Sequence, residues 1–333
     1  MNLNLIDNIL EREPKFRIKQ VKKAIYQDLI EDWNMATTLP VFLREKLNEK
    51  CPLKINSTDY NSINDFSIKT VLILNDKQKV ESVLMRHKDR NTICVSSQIG
   101  CLLGCTFCQT GKMGFIRNLN SYEIIEQVIY FSRLLKKENK KVTNIVFMGM
   151  GEPLLNYDNV IRAIRILNDK EGFNIGIRRI SISTCGIIEG INKLSTENMD
   201  INLAVSIHSA NEVTRSKIMP INKQYPIKKI IESVKEYTKK TRRKVMFEYL
   251  LLKDINDNEK DALDLALLLK GMLCMVNLIN YNPTKTFQPS LKDKVKRFKE
   301  ILENNGIEVT ERVSFGKDIK AACGQLAQEK NYY

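Results

Sequence analysis

Hydrophobic residues recur with helical spacing through the first 60 residues of the chain. Residues 16–33, FRIKQVKKAIYQDLIEDW, place an apolar side chain every three or four positions, and a second such run begins near Pro40. This spacing gathers the apolar side chains on one face of a helix. The pattern therefore predicts an N-terminal helical domain over residues 1–60.

The pattern then changes to a shorter period. Two runs rich in aliphatic residues, 68–74 and 79–86, flank a polar turn at 75–77. Runs of this kind on either side of a short turn are typical of a β-hairpin. We interpret residues 61–90 as a hairpin region that links the helical domain to the rest of the chain.

Strand-like and helical runs alternate from residue 91 to 333. The strand candidates are NTICVSS, TNIVFMGMG, RRISISTCG, INLAVSIHS, RKVMFEYLL, VNLINYNPT and GIEVTERVSFG. Helical runs separate them, and one of these, residues 121–137, begins with a capping pattern at Asn120 and Glu123. This alternation predicts an α/β fold with a parallel sheet, here a partial (β/α)6 barrel of the TIM type.

Polar residues follow the predicted strands, where a barrel of parallel strands carries its chemistry. The candidates for a binding site are Gly151, Glu152, Ser183, Ser206, Ile207, His208 and Asn282. Each of these alone is more typical of a cap or a turn. Together with the cysteines described next, they predict one shared site at the mouth of the barrel.

Three cysteines lie close together in CLLGCTFC, residues 101–108. They are Cys101, Cys105 and Cys108. Structural zinc usually takes four protein ligands, so zinc would need a distant fourth ligand, and His87 and His208 are the only histidines. Three thiolates can instead hold a [4Fe–4S] cluster and leave one iron open. The CxxxCxxC spacing with Phe107 before the last cysteine resembles the radical S-adenosylmethionine (SAM) signature, which favours the cluster over zinc.

An open iron could bind the amino and carboxylate groups of SAM. Glu152 would then accept a hydrogen bond from its ammonium group, and Gly151 would let the backbone approach the ligand. Two further cysteines, Cys94 and Cys323, stand apart from the trio. Taken alone, each is typical of a small buried hydrophobic residue, as are Cys51, Cys185 and Cys274.

Composition narrows the class of protein. The 333 residues are 43% hydrophobic, enough for a sizeable core, and carry a net charge of +14. Basic stretches at 17–23, 136–141, 239–244 and 292–299 favour a nucleic-acid partner, with an anionic membrane surface second. The alternative is a generally lysine-rich composition. The most apolar long window, 262–276, contains two charged residues and is too short to span a bilayer, so we expect a cytoplasmic protein that does not cross a membrane.

Several motifs resemble the RlmN/Cfr family of radical SAM methyltransferases, which act on an adenosine of 23S ribosomal RNA. The motifs are ICVSSQIGCLLGCTFCQTGKMGFIRNL, VFMGMGEPLLNYDNV, RRISISTCGI, LAVSIHS, MPINKQYP, NLINYNPT and DIKAACGQLA. The match to the family runs in order from about residue 15 to residue 328. The combination of ACGQL with an upstream CVSSQ is typical of fewer proteins than the superfamily signature CxxxCxxC, so the resemblance is specific.

The resemblance implies a reaction in which Cys323 takes a methyl group from one SAM molecule. A second SAM, cleaved at the cluster, supplies a radical that activates this methyl group, and the activated carbon adds to adenine. Cys94 then attacks the Cys323 sulfur, which forms a disulfide and frees the methylated base. The resemblance also implies Glu81 as a proton acceptor, although a lone strand glutamate is otherwise taken as exposed. It further implies a monomer with an electron donor such as flavodoxin or ferredoxin.

The target base has to be extruded or single-stranded to reach a barrel mouth. We expect the N-terminal helices with RIKQVKK to hold RNA; the alternative is a solvated helical cap on the barrel. NLINYNPT and RVSFGKDI resemble the Cfr group, which methylates adenine carbon 8 and is associated with ribosomal antibiotic resistance. GEPLLN and GFIRNL resemble the housekeeping RlmN group, which methylates carbon 2 and can also modify transfer RNA.

We expect carbon 8, with carbon 2 as the alternative. Two other classes stay open at this point: a zinc-stabilised RNA-binding protein without activity, and a radical enzyme with a small-molecule substrate. The charge of +14 and the two extra cysteines argue against the small-molecule enzyme.

Overall fold

The structure, a computed structural model, describes residues 1, 3–284 and 286–327. Twelve strands lie within them. They are β1 (Asn56–Asn61), β2 (Ile68–Ile73), β3 (Lys79–His87), β4 (Arg90–Cys94), β5 (Gln98–Gly100), β6 (Phe115–Asn118), β7 (Asn144–Phe147), β8 (Ile180–Thr184), β9 (Asn202–Ser206), β10 (Val245–Leu251), β11 (Cys274–Asn280) and β12 (Val309–Arg312).

The described residues also form eleven α-helices. They are α1 (Ile6–Leu10), α2 (Lys15–Tyr26), α3 (Val41–Lys50), α4 (Gln109–Lys112), α5 (Ser121–Lys137), α6 (Tyr157–Asn168), α7 (Ile188–Leu194), α8 (Glu212–Ile218), α9 (Ile227–Thr241), α10 (Glu259–Leu269) and α11 (Lys292–Asn304). Short 3-10 turns occupy Leu3–Leu5, Trp33–Met35, Pro153–Asn156, Ile177–Arg179 and Pro220–Lys223. None of these helices is both long enough and apolar enough to cross a membrane.

Ten of the strands make one sheet, in the order β1-β2-β3-β4-β7-β8-β9-β10-β11-β12. The pairs from β1 to β4 are antiparallel. Every pair from β4 to β12 is parallel. Six strand–helix units followed by β12 therefore curve into an open barrel, which confirms the predicted α/β fold.

The central parallel strands of the sheet are buried, with helices packed on the outside of the barrel. β9 and β10 contain almost only buried side chains, as expected for strands inside a parallel sheet. Helices such as α9 turn one apolar stripe towards the sheet, here Ile227, Ile230, Ile231 and Val234. The capping pattern predicted at Asn120 and Glu123 is a reciprocal capping box at the start of α5.

The N-terminal part differs from the predicted pattern in two places. The helix expected over residues 16–33 ends at Tyr26, because Leu29 takes a left-handed backbone conformation with φ of 54°. The segment expected to be helical up to residue 60 ends in β1, which pairs with β2. β1 has only polar residues, NSTDYN, so no helical or strand-like spacing of apolar residues predicts it.

Arg133 of α5 attaches this N-terminal part to the barrel. Its guanidinium group donates to the carbonyl oxygens of Leu29, Ile30 and Leu53. Three carbonyl groups from the segments after α2 and α3 thus accept from the guanidinium group of one barrel helix. The predicted hairpin, β2 with β3, joins β4 and so continues the barrel sheet.

Candidate active site

One pocket of about 170 Å³ lies at the carboxyl ends of the parallel strands. The predicted site residues that line it are Cys94, Cys101, Cys105, Cys108, Gly151, Glu152, Ser183, Ser206, His208, Asn282 and Cys323. These residues come from many different elements, from β4 to the C-terminal segment. The barrel therefore gathers most of the predicted site in one place.

The loop with the three cysteines is fixed by backbone contacts. The N–H of Cys101 donates to the carbonyl of Gly114 at 2.9 Å, and the N–H of Cys108 to the carbonyl of Cys105 at 3.1 Å. Gly100, before the first cysteine, has φ of +73°, and a Cβ there would lie 1.9 Å from the Gly114 oxygen. A glycine is therefore required for the loop to fold back on itself.

Three thiols on one pocket wall are the donors that iron–sulfur clusters use. Burial raises the pKa of Cys101 and of Cys108, so both thiols need a cation, such as cluster iron, to become thiolates in this environment. Among the described residues, no three His, Cys, Asp or Glu side chains converge on the position of a single metal ion. The fit of a cluster thus rests on the identity and burial of its donors.

The segment after β4 connects the cysteine loop to the rest of the site. The side-chain amide of Gln127, on α5, bonds both the N–H and the carbonyl of Ser96. The hydroxyl of Ser96 donates to the Glu81 carbonyl and accepts from the N–H of Met150. These bonds hold the residues that follow Cys94 between β3 and the GMGEP loop.

Gly151 and Glu152 take up defined positions in that GMGEP loop. Gly151 has φ of +96°, and a Cβ would lie 2.4 Å from Cβ of Gln98, whose Oε1 accepts from the N–H of Glu152. The Glu152 carboxylate accepts from the N–H groups of Leu154 and Cys185. Burial nevertheless raises the pKa of Glu152 to about 7, and these bonds offset only part of that effect.

The hydroxyl groups of Ser183 and Ser206 meet at one carboxylate. Both donate to Oε2 of Glu248, at 2.8 and 3.3 Å. Oε1 of Glu248 lies 3.2 Å from the guanidinium group of Arg312. Sequence reasoning missed both charged residues, although a glutamate within the apolar run VMFEYLL was a signal for Glu248.

Three residues that were predicted to contact SAM remain: His208, Asn282 and Ile207. Nδ1 of His208 accepts from the N–H of Leu250 at 3.1 Å, and burial lowers the pKa of His208 to about 3, so the ring is neutral. Oδ1 of Asn282 is buried and has no hydrogen-bond partner among the described residues. Because it lines the pocket, it offers a free acceptor to a ligand. Ile207 lies in the hydrophobic core, outside the pocket lining.

The C-terminal segment brings Cys323 to the pocket. The N–H of Gln109 donates to the carbonyl of Gly324 at 2.8 Å, and the hydroxyl of Thr110 donates to the carbonyl of Leu326. Cys94 lines the same pocket from the end of β4. Burial is the main reason that the pKa of Cys94 is raised to about 12.

Glu81 lies beneath this segment, outside the pocket lining. The expectation of an exposed strand glutamate is wrong: Glu81 is fully buried. Its Oε2 accepts from the N–H of Ala327 at 3.2 Å. Its side chain thus touches the segment that carries Cys323.

Cys185 is a further thiol of the pocket. It was expected to be a buried hydrophobic residue, but it lines the pocket together with Cys105, and the nearby Cys105 thiol contributes to the raised pKa of Cys185. The signal in the sequence was its position in STCG, directly after β8. Three cluster candidates and Cys185 therefore face one another.

Comparison with known proteins gives consistent matches. The radical SAM superfamily model matches residues 95–266. A probable dual-specificity RNA methyltransferase RlmN from Dictyoglomus turgidum is 47% identical, over 97% of this chain and 94% of that protein. The chain belongs to the RlmN/Cfr family of radical SAM RNA methyltransferases. A dual-specificity RNA methyltransferase RlmN from Wigglesworthia glossinidia brevipalpis is 45% identical, over 95% of this chain and 85% of that protein.

A solved structure supports this placement in the RlmN/Cfr family. The crystal structure of a radical SAM methyltransferase from Sphaerobacter thermophilus superposes with a TM-score of 0.94 at 40% identity and covers 99% of this chain and 98% of that one. The family implies a [4Fe–4S] cluster and SAM. The cysteine trio and the free Asn282 acceptor in one pocket fit both groups.

Proposed function

We propose that this enzyme methylates carbon 2 of an adenosine in 23S ribosomal RNA, with transfer RNA as a second substrate. The observation that carries the proposal is that Cys94 and Cys323 line the same pocket as the cysteine trio. The choice of carbon 2 over the carbon 8 expected from the sequence rests on the relatives, which at 41–47% identity are named RlmN. The expected antibiotic resistance has no such support.

In this proposal Cys101, Cys105 and Cys108 hold the cluster, and two SAM molecules are used per turnover. The cluster, when bound, supplies the electron that cleaves SAM. Glu152 accepts a hydrogen bond from the amino group of SAM, and the buried Oδ1 of Asn282 accepts from another N–H donor of the ligand. The Ser183 and Ser206 hydroxyl groups, held by Glu248, offer their remaining lone pairs.

Cys323 carries the methyl group and Cys94 resolves the bond between protein and RNA. Both roles need the two sulfurs to reach each other, and both cysteines line one pocket. The bond from Gln109 to Gly324 keeps Cys323 beside the cluster loop, where a radical would form. Disulfide closure then needs no large movement of the barrel, since both cysteines already line one cavity.

Glu81 is proposed as the proton acceptor that acts on the bound adenine. Its complete burial and its contact with Ala327 place a carboxylate under the segment that carries Cys323. An electron donor such as flavodoxin or ferredoxin completes the proposed reaction, with the enzyme acting as a monomer in the cytoplasm.

The N-terminal helices are proposed to hold RNA. Exposed Phe16 lies under the guanidinium group of Arg17, whose centre is 4.9 Å from the ring centroid. An aromatic ring with a cation is a common surface for unpaired bases. The domain division 1–60, 61–90 and 91–333 is part of this proposal.

Nucleoside mass spectrometry tests the function. The chain is expressed in a host that lacks its own carbon-2 enzyme, and digests of 23S ribosomal RNA and transfer RNA are compared with those from a Cys323→Ala control. The proposal predicts 2-methyladenosine in both RNAs with the wild-type chain only. Finding 8-methyladenosine, or no methyladenosine that depends on Cys323, would overturn it.

A further inference from the structure

A second pocket, of about 240 Å³, adjoins the candidate active site. Thr92 of β4 and Val146 of β7 line it, and Val146 is the register partner of Cys94 in these two parallel strands. Met85 and Arg312 line both this pocket, which we call the side pocket, and the candidate active site. A ligand in the side pocket would therefore lie directly beside the cavity that Cys94 and Cys323 share.

Two aromatic rings form one wall of the side pocket. β12 lies at the end of the sheet, next to β11, and the chain that follows it reaches back to β3. There the ring of Phe315 meets that of His87 edge to face, with 5.9 Å between the ring centroids. Both residues line the side pocket. An edge-to-face pair leaves ring faces available for stacking, and unpaired RNA bases stack on such faces.

Arg90 brings a positive charge to the same pocket. It is the first residue of β4, is exposed and lines the side pocket. Within residues 1, 3–284 and 286–327, its guanidinium group has no hydrogen-bond or ion-pair partner. The acidic residue of the same turn, Asp89, lies between Lys88 and Arg90. The rim of the pocket thus carries a cation that is available to a phosphate group.

The basic stretch at 136–141 ends beside this rim. The side-chain amide of Asn91 donates to the carbonyl oxygen of Lys141 at 2.9 Å. The acidic member of the stretch, Glu138, is already paired with Arg86 at 2.7 Å. The surface around the side pocket is therefore positive, which favours a polyanion.

An aromatic wall and a free cation in one pocket match the two parts of a nucleotide. We propose that the side pocket binds the nucleotide of the RNA that is joined directly to the target adenosine. Its base stacks on Phe315 and its phosphate contacts Arg90, while the target adenine enters the cavity of Cys94 and Cys323. The neighbours of an extruded base follow it to the mouth of the site because they are covalently linked to it. The inference rests on the proposed function, which requires RNA at this site.

Removing single bases from the RNA tests the stacking. Cluster-loaded protein with SAM and without reductant is titrated with a fluorescent 23S ribosomal RNA fragment, either intact or abasic at one of the two neighbours of the target adenosine. Phe315→Leu keeps an apolar side chain without a ring, and it should bind the intact fragment about tenfold more weakly. At one of the two neighbours, the abasic change should weaken wild type in the same way and Phe315→Leu no further.

The ring itself is tested by Phe315→Tyr, which should bind the intact fragment as wild type does. Wild-type affinity in Phe315→Leu would overturn the inference. So would equal losses in wild type and Phe315→Leu at both abasic positions, because the ring and the base would then act independently.

Salt dependence tests the phosphate contact. Arg90→Gln should make the slope of log affinity against log salt concentration shallower by about 0.7, the value for one phosphate contact on a single strand. Arg90→Lys should keep the wild-type slope. Arg242 is the matched control, since it too is exposed and without a side-chain partner among the described residues, but it lies next to β10, beyond β7, β8 and β9 from β4. Arg242→Gln should keep the wild-type slope, and equal slopes for wild type and Arg90→Gln would contradict the contact.

A measurement on the wild-type chain covers the case in which Phe315→Leu does not load its cluster. The fragment carries 4-thiouridine at one neighbour of the target adenosine, and cross-linked peptides are identified by mass spectrometry. The tryptic peptide of residues 313–317, which contains Phe315, should be labelled from one of the two positions. Labelling of other peptides alone would overturn the inference.

Failure of the inference can be told apart from failure of the proposed function. RNA methylation that depends on Cys323, without coupling between Phe315 and a neighbouring base, would refute the side-pocket assignment alone. Coupling without any methyladenosine that depends on Cys323 would refute the proposed function and support the side pocket as a nucleotide site.

Discussion

The backbone N–H of Gln109 donates to the carbonyl oxygen of Gly324 at 2.8 Å. Gln109 directly follows the third cysteine of the trio, and Gly324 directly follows Cys323. More than 200 residues separate them in the chain, yet one bond joins the loop proposed to hold the cluster to the segment proposed to carry the methyl group. The place where the radical forms and the place where it acts are thus fixed relative to each other.

Gly324→Ala should disturb that relationship. Gly324 has φ of +81°, and an added Cβ would also lie 3.4 Å from the carbonyl oxygen of Phe107. The left-handed conformation alone costs an alanine about 1 kcal/mol. We expect several-fold slower methylation of Cys323, measured by mass spectrometry of the intact protein after single turnover with SAM.

Gly306→Ala is the matched control for this substitution. Gly306 has φ of +78°, but nothing lies within 4 Å of a Cβ placed there. It bears the same backbone cost far from the site, so its rate of Cys323 methylation should stay close to wild type. Equal losses in the two variants would show that the contact with the cluster loop is unimportant.

Single cysteine substitutions distinguish the cysteines that bind the cluster from a neighbouring thiol that does not. Cys108→Ala should lose most of its iron after anaerobic reconstitution, because two thiolates hold a [4Fe–4S] cluster poorly. Cys185→Ala should keep its iron, although Cys185 lines the same pocket as the trio. Iron and sulfide analysis with absorption spectra measures both, and iron retention by Cys108→Ala would contradict the assignment of the trio.

We expect SAM binding to depend on pH because the pKa of Glu152 is raised. Its pKa is raised from 4.5 to about 7 by burial, so most of it is protonated at pH 6 and ionised at pH 8. Only the ionised form is a full acceptor for the amino group of SAM. The ratio of wild-type to Glu152→Gln affinity should therefore rise about tenfold from pH 6 to pH 8.

Equilibrium binding of SAM to the two cluster-loaded proteins measures this ratio. Because SAM itself titrates identically in both, the ratio isolates Glu152. A ratio that stays flat across this range would show that Glu152 does not change charge on binding SAM.

Much of the barrel could be predicted because its elements carry strong local patterns. The strands from β7 to β11 are short runs rich in apolar residues, and α5 has a complete capping box. β1 was missed because NSTDYN has no apolar face, and the early end of α2 because a left-handed Leu29 has no sequence signature.

In the candidate site, too, some residues could be predicted from the sequence and others could not. Cysteine spacing indicated the trio, and resemblance indicated Cys94 and Cys323. Glu248 and Arg312 escaped notice, since their importance arises from partners brought together only by the folded sheet. Ile207 was predicted with its neighbours Ser206 and His208, but alternation along an extended segment turns its side chain into the core.

The central claim is that Cys323 bonds to RNA and Cys94 releases it. The most direct measurement is denaturing gel electrophoresis and mass spectrometry of cluster-loaded variants incubated with SAM, reductant and a 23S ribosomal RNA fragment. The account predicts a covalent protein–RNA adduct with Cys94→Ala, attached through Cys323, and none with Cys323→Ala. Normal turnover by Cys94→Ala, or an adduct formed by Cys323→Ala, would contradict it.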